Sequence, residues 1–160
     1  MDKVEGLELY LGNSQDAVGA VYSGARRKGS ITAVVNLAFD LNDPAISDIK
    51  SIKIGLVDGG HDKQSSFIYA LAAKTVIELL DNGDTVLAHC HEGRSRTAAI
   101  AIIVLAVKKF GANKSMTGEE LQKVLFLSQE DAIKTRPRMA YMNKDHEKFL
   151  LPALKIVLGE

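Results

Sequence analysis

The sequence alternates between short runs of β-branched and aliphatic residues and longer stretches in which apolar residues recur at helical spacing. Strand-like runs cover residues 7–11, 31–37, 52–57 and 85–89. Between the last two runs, apolar residues three or four positions apart predict an amphipathic helix that stops at Gly83. Strands that alternate with helices predict an α/β fold with a central, mostly parallel sheet of about four to five strands, flanked by helices.

A second helix is predicted over residues 96–110, which are almost continuously apolar and are followed by Gly111. A helix that is apolar on most sides is buried, so we expect this one at the centre of the molecule. A third helical segment is predicted over about residues 14–28, between the first two strands.

Two more helices are predicted in the C-terminal part of the chain. Thr117 and Glu120 form a capping box, which opens the first of them. Ser128 and Asp131 repeat that pattern, which predicts a kink or a restart of the helix there. The last helix covers about residues 143–157, with a break at the proline inside it.

Length and composition indicate one domain over residues 1–160, since 46% of the residues are hydrophobic and the chain is long enough to bury a core. Twenty basic residues balance twenty acidic ones, so we expect no global attraction to nucleic acid or to an anionic membrane. The single cysteine excludes an internal disulfide and suits a reducing compartment. The N-terminus has no signal-peptide pattern, and the longest apolar run, residues 98–107, is too short to span a bilayer. The expected location is therefore the cytoplasm.

The segment over residues 88–97, Ala-His-Cys-His-Glu-Gly-Arg-Ser-Arg-Thr, joins a predicted strand to the buried helix. A loop that runs into a helix N-terminus directs backbone N–H groups at an anion, and the helix dipole favours negative charge there. Cys90 lies at the edge of that field, where a thiol loses its proton more readily. Arg96 can fold back and offer two parallel donors to a tetrahedral anion. The segment predicts an anion site with a nucleophile at its floor; the alternative is a buried structural cysteine.

Residues 89–97 match the pattern His-Cys-x5-Arg-[Ser/Thr] and so resemble the signature of the cysteine-dependent protein tyrosine phosphatase superfamily. Within it, the chain is similar to the small dual-specificity phosphatases, since residues 9–14 and 31–37 look like their first two strands. The helix after the motif lacks the Ala-Tyr-Leu-Ile-Met run common in that group, and Asn143 lacks the usual preceding proline. These departures leave the substrate subgroup open.

The resemblance implies a phosphatase that works through a phosphocysteine intermediate. It implies that Cys90 attacks phosphorus and that Arg96 clamps the equatorial oxygens. It also implies that the hydroxyl of Thr97 donates to the cysteine sulfur. We expect His89 to orient the loop rather than to act as a base, since a thiolate already formed needs no proton acceptor. The phosphate-binding residues are then those of the loop, His91, Glu92, Gly93, Arg94, Ser95 and Arg96.

The general acid that protonates the leaving oxygen is expected in the loop after the third strand. Asp58, 32 residues before Cys90, lies where the family keeps this residue. Asp62, four residues later, is the runner-up. The alternative is that both carboxylates only solvate a turn, since Asp-Gly sequences favour turns.

The implied function is hydrolysis of phosphotyrosine, with phosphoserine and phosphothreonine as possible further substrates, on phosphorylated protein partners. Two alternatives stay open: a phosphatase of phosphoinositides, nucleotides or RNA 5′ ends, and a catalytically silent phosphate-binding module. His91 and Arg94 favour additional phosphates at the loop, whereas Glu92 argues against them. Arg136 and Arg138 are further candidates for substrate contact. Phosphate and other oxyanions are the expected ligands, and no cofactor or metal is implied.

Overall fold

The computed structural model of the chain describes residues 1–23, 30–43, 48–57 and 65–159, with the backbone alone over 21–23. The described residues form five strands: β1 Asp2–Lys3, β2 Leu9–Gly12, β3 Ala33–Ala38, β4 Lys50–Leu56 and β5 Val86–His89. They also form five α-helices: α1 Ser14–Ser23, α2 Ser66–Asp81, α3 Arg96–Lys108, α4 Gly118–Thr135 and α5 Glu147–Val157. Two short 3-10 helices, Pro137–Tyr141 and Lys144–His146, lie between α4 and α5.

The five strands form one sheet in the order β1-β2-β5-β3-β4. All neighbouring pairs are parallel except β1, which pairs antiparallel with β2. The predicted α/β fold with a mostly parallel sheet is therefore confirmed. The sequence pattern missed β1, because its two residues, Asp2 and Lys3, are both charged and give no hydrophobic alternation to detect.

The middle strand, β5, positions the start of the 88–97 segment. All four of its residues are buried, and a strand covered on both faces has an uninterrupted apolar sequence. Helix α1 covers one face of the sheet, where a small apolar cluster surrounds Leu87. The other four helices contact one another over the opposite face. Cys90 follows β5 directly, at the edge where the parallel strands end and where α/β folds bind their ligands.

Helix α3 lies at the centre of the helical layer, as its apolar sequence predicts. Every residue from Arg96 to Ala106 is buried, and α3 contacts α2, α4 and α5. A helix packed on all sides is held rigidly, so its first turn gives the preceding loop a fixed support.

Helix α4 begins at the predicted cap, but it does not restart where the sequence pattern repeats. The backbone N–H of Glu120 donates to the hydroxyl of Thr117 at 3.2 Å, so Thr117 caps the helix as predicted. The Glu120 carboxylate accepts from the Thr117 hydroxyl and not from its N–H, so the second bond of the predicted capping box is not formed. The expected restart near Ser128 is wrong, because α4 runs without interruption to Thr135. The Ser128 hydroxyl donates instead to the carbonyl of Val124, one turn earlier, at 2.8 Å.

The proline of the last helix does not break it. Pro152 lies inside α5 and removes one backbone hydrogen bond, to the carbonyl of Lys148. Both residues are exposed, so water can satisfy that carbonyl. At the other end of the chain, α1 is described as far as Ser23, and the rest of the helical segment predicted over 14–28 lies outside the described residues.

Candidate active site

Cys90 is a free, buried cysteine at the start of the loop between β5 and α3. The hydroxyl of Thr97, in the first turn of α3, donates a hydrogen bond to its Sγ at 3.0 Å. Cys90 is 3% exposed and Thr97 is fully buried. The Thr97 hydroxyl is therefore in direct contact with the atom predicted to be the nucleophile.

Arg96 folds back under the loop, as the sequence predicts. Its buried guanidinium donates through Nη1 to the Asp40 carboxylate at 2.9 Å and to the Leu56 carbonyl at 3.1 Å. No sequence pattern singled out Asp40, which lies in a polar turn after β3. The hydrogen bond from Arg96 lowers the pKa of Asp40 below its ordinary value, so this carboxyl is ionised at neutral pH.

These residues surround a pocket of about 260 Å³, which is lined by Asp40, Cys90, His91, Glu92, Arg94, Ser95 and Arg96. The structure thus brings five of the six predicted phosphate-binding residues to one cavity. Gly93 lies behind it, with a φ of +66°, against the backbone of Gly12.

Three carbonyl groups of the loop are held from outside the pocket. Ser14 N–H donates to the carbonyl of His91 at 3.1 Å. Buried Arg136 donates to the carbonyl of Gly93 at 2.9 Å and to that of Glu92 at 3.0 Å. In a trans peptide the C=O and the next N–H point in opposite directions, so the N–H groups of residues 92–94 face away from these donors, toward the pocket. This is the arrangement that an oxyanion requires.

Arg136 therefore supports the loop from behind and does not line the pocket as a substrate contact. Its Nη1 also donates to Asp2 at 2.6 Å, so Arg136 connects β1 to the loop. Arg138 is exposed and donates to the carbonyl of Glu92 at 3.3 Å. The backbone N–H of Asn143 donates to the hydroxyl of Ser95 at 2.9 Å, so the segment after α4 holds the loop at several points.

His89 is fully buried between two hydrogen-bond acceptors. Its Nε2 lies 2.8 Å from a carboxylate oxygen of Asp43, and its Nδ1 lies 3.2 Å from the carbonyl oxygen of Cys90. With both nitrogens engaged, His89 has the orienting position predicted for it. Asp43, its partner, carried no signal in the sequence.

The rim of the pocket carries two acid–base pairs. His91 Nε2 lies 3.1 Å from Asp40, and Arg94 Nη1 lies 3.4 Å from Glu92. Each basic side chain that the sequence offers for additional phosphates is thus matched by a carboxylate. The Nε of Arg94 is buried and has no hydrogen-bond partner within the described part of the chain.

Both candidates for the general acid, Asp58 and Asp62, lie outside the described residues. The described chain of β4 reaches the site at Leu56, whose carbonyl contacts Arg96. Asp58 is two residues further along the sequence.

Over the described ranges, no three His, Cys, Asp or Glu side chains form a group that could hold a metal ion. Nor does any helix in the described part of the chain have the length and apolar character required to cross a membrane.

Gly93→Ala is expected to lower the free energy of unfolding by at least about 2 kcal/mol, because φ is positive there and the space is filled. An added Cβ would lie 2.3 Å from the carbonyl oxygen of Gly12. Urea denaturation measures the loss. Gly19→Ala is the matched control. Gly19 lies in α1 with open space around its Cβ position, so this substitution should raise the free energy of unfolding by up to about 1 kcal/mol. Equal unfolding midpoints for the two variants would contradict this account of the loop.

Comparison with known proteins bears on the fold. No family model matches the sequence, and no curated protein is similar enough to match it. Among solved structures, human DUSP28 is similar with a TM-score of 0.75 and 18% identity, over 98% of this chain and 97% of that chain. The Yvh1 phosphatase domain from Chaetomium thermophilum is similar with a TM-score of 0.70 and 20% identity, over 97% and 95%. DUSP15 gives a TM-score of 0.70 and 23% identity, over 96% and 86%. The chain therefore has the fold of the small dual-specificity phosphatases.

Proposed function

We propose that the protein is a cysteine-dependent phosphatase that hydrolyses phosphate monoesters through a phosphocysteine intermediate. The observation that carries the proposal is the convergence of three groups on one pocket. Cys90 Sγ accepts a hydrogen bond from Thr97, and the Arg96 guanidinium lies in the same cavity. Backbone N–H groups of residues 92–94 face it as further donors. A nucleophile, a charge clamp and oriented N–H groups are the parts that phosphoryl transfer needs.

In the first step, the Cys90 thiolate attacks phosphorus in line with the ester oxygen. The S–P bond forms as the P–O bond to the leaving group breaks, and Asp58 gives its proton to the leaving oxygen. Arg96 and the loop N–H groups bind the three equatorial oxygens, over which the charge is spread. In the second step, water attacks phosphorus and gives a proton to the Asp58 carboxylate. The S–P bond breaks, and the hydroxyl of Thr97 stabilises the departing thiolate.

The rim of the pocket favours phosphoproteins as substrates over polyphosphorylated molecules. A second phosphate near the loop would have to separate His91 from Asp40 or Arg94 from Glu92, and it would meet the carboxylates left behind. Binding of a single phosphate on tyrosine, serine or threonine leaves both ion pairs intact. We therefore rank phosphoproteins above phosphoinositides, nucleotides and RNA 5′ ends. Among phosphoproteins, the family resemblance puts phosphotyrosine before phosphoserine and phosphothreonine.

A silent phosphate-binding module is less well supported. Binding alone requires the loop N–H groups and Arg96, whereas the Thr97 hydroxyl on Cys90 Sγ is placed to stabilise a thiolate that departs from phosphorus. The two readings differ in one observable, which is turnover.

The test compares hydrolysis of a phosphotyrosine peptide, a phosphoserine peptide and a soluble inositol polyphosphate by the full chain with a chelator present. We expect turnover of the phosphotyrosine peptide, blocked by vanadate, and slower turnover of the other two. A preference for the inositol polyphosphate would move the substrate to the phosphoinositide class. Phosphate binding without hydrolysis of any of the three would leave a binding module.

Asp58→Asn is expected to slow hydrolysis of phosphotyrosine by about 10²-fold, because a poor leaving group needs a proton from the general acid. On an aryl phosphate with a good leaving group, such as p-nitrophenyl phosphate, the rate of the variant should fall much less. Asp62→Asn is the matched control from the same stretch of sequence and should keep the parent rate on both substrates. A full rate for Asp58→Asn together with a slow Asp62→Asn would transfer the role to Asp62.

A further inference from the structure

Asp40 contacts both Arg96, at the floor of the pocket, and His91, at its rim. One carboxylate oxygen accepts from Arg96 Nη1 at 2.9 Å, and the other lies 3.1 Å from His91 Nε2. We propose that Asp40 is a positioning residue for Arg96, which it holds so that the rest of the guanidinium faces the bound phosphate. The inference rests on the proposed phosphatase function, which it extends by one residue.

The distribution of contacts on the guanidinium supports this role. Asp40 and the carbonyl of Leu56 both bind Nη1. Across the described residues, Nε and Nη2 of Arg96 have no hydrogen-bond partner, and neither is a buried orphan. Because Nε–H and one N–H of Nη2 are parallel, they form the fork that binds two oxygens of a phosphate. Asp40 therefore occupies the side of the guanidinium that a phosphate does not need.

The turn that carries Asp40 is held in place before any ligand arrives. Buried Asn36 donates to the carbonyl of Leu41 at 2.8 Å and accepts from the N–H of Ala38 at 2.9 Å, on either side of Asp40. Phe39 N–H donates at 3.1 Å to the carbonyl of Leu56, the same carbonyl that accepts from Arg96. The turn and the guanidinium thus share one anchor on β4, so the carboxylate requires little reorganisation to hold Arg96.

A competing role for Asp40 leads to the opposite effects. If the carboxylate occupied the place of the phosphate, removing it would free the clamp, tighten oxyanion binding and raise kcat/KM. If Asp40 positions Arg96, removing it leaves Leu56 as the only described anchor, and the guanidinium loses its alignment. A third possibility, that Asp40 is itself the general acid, predicts a loss restricted to poor leaving groups.

The experiment measures kcat for Asp40→Asn on p-nitrophenyl phosphate and on a phosphotyrosine peptide. We expect kcat to fall about 10- to 100-fold, by the same factor on both substrates, because a misaligned clamp acts on the phosphoryl group and not on the leaving group. Asp40→Glu, which keeps the charge, should recover part of the loss. Asp48→Asn, an exposed aspartate just before β4, should keep the parent rate.

A binding measurement separates positioning from competition. In a Cys90→Ser background, Asp40→Asn should bind tungstate no more tightly than its parent. Tungstate binding at least about 10-fold tighter, an undiminished kcat, or a loss seen only with phosphotyrosine would each overturn the proposal. Failure of this proposal can also be distinguished from failure of the proposed phosphatase function. An inactive parent chain refutes the phosphatase, whereas an active parent with an equally active Asp40→Asn variant refutes only the role of Asp40.

Discussion

Cys90→Ser is expected to lower kcat for phosphate ester hydrolysis by at least about 10⁴-fold while the pocket still binds oxyanions. In the proposed reaction the nucleophile is a thiolate beside the Thr97 hydroxyl and the N-terminus of α3, and the described residues include no base placed to activate a serine. His89 is the nearest base by sequence, but both of its nitrogens are engaged, with Asp43 and with the carbonyl of Cys90. A serine hydroxyl at this position therefore keeps its proton.

The measurement is a steady-state rate with p-nitrophenyl phosphate and a chelator, accompanied by calorimetric titration with tungstate. The side chains differ by one atom, so the pocket and its donors should survive the change. We expect the tungstate affinity to stay within a few-fold of that of the parent, and the unfolding midpoint to stay close to it. A Cys90→Ser variant that keeps more than about one part in a hundred of the parent rate would exclude the phosphocysteine intermediate.

The parts of the fold that could be predicted are those whose signal is local in sequence. Strand β5, the loop and α3 follow one another within residues 86–108, and burial on all sides leaves an uninterrupted apolar pattern there. The same is true of the cap at Thr117, where donor and acceptor are three residues apart. Strand β1 had no such signal, because it is held by pairing with β2 and by Arg136.

The supports of the site are long-range, which is why sequence pattern did not find them. Asp40 lies 56 residues from the arginine it contacts, and Asp43 lies 46 residues from His89. Both are acidic residues in a polar turn, and nothing in the turn itself distinguishes a buried counter-ion from a solvated side chain. Arg136 was a candidate for substrate contact, but the chain after α4 passes behind the loop and brings its guanidinium to the loop carbonyls.

The general acid depends on the sequence and the family resemblance alone, since Asp58 and Asp62 lie outside the described residues. The described residues nevertheless end close to the site on β4, the strand that precedes both candidates. The carbonyl of Leu56 and the carboxylate of Asp40 meet at Arg96 Nη1, so β4 ends beside the charge clamp. A residue that follows this strand closely in sequence is a better candidate for the leaving-group side than one from a distant element, and the paired asparagine variants decide between the two.

Arg96→Lys is expected to lower kcat by about 10³-fold or more, although the charge is kept. The guanidinium has to make three contacts at once. Its Nη1 binds the Asp40 carboxylate and the Leu56 carbonyl, which leaves Nε and Nη2 for two phosphate oxygens. A lysine ammonium is a single point of charge and cannot hold these anchors and offer a parallel fork together. The loss should be the same for p-nitrophenyl phosphate and for phosphotyrosine, because the clamp acts on the phosphoryl oxygens.

Arg138→Lys provides the control for the chemical change alone. Arg138 is exposed, and its one hydrogen bond within the described part of the chain goes to the carbonyl of Glu92, at 3.3 Å, from outside the pocket. We expect this variant to keep the parent kcat within a few-fold. Arg96→Lys with less than about a 10-fold loss would mean that charge alone stabilises the transition state. In that case the folded-back geometry of Arg96, and with it the positioning role of Asp40, would have no part in the rate.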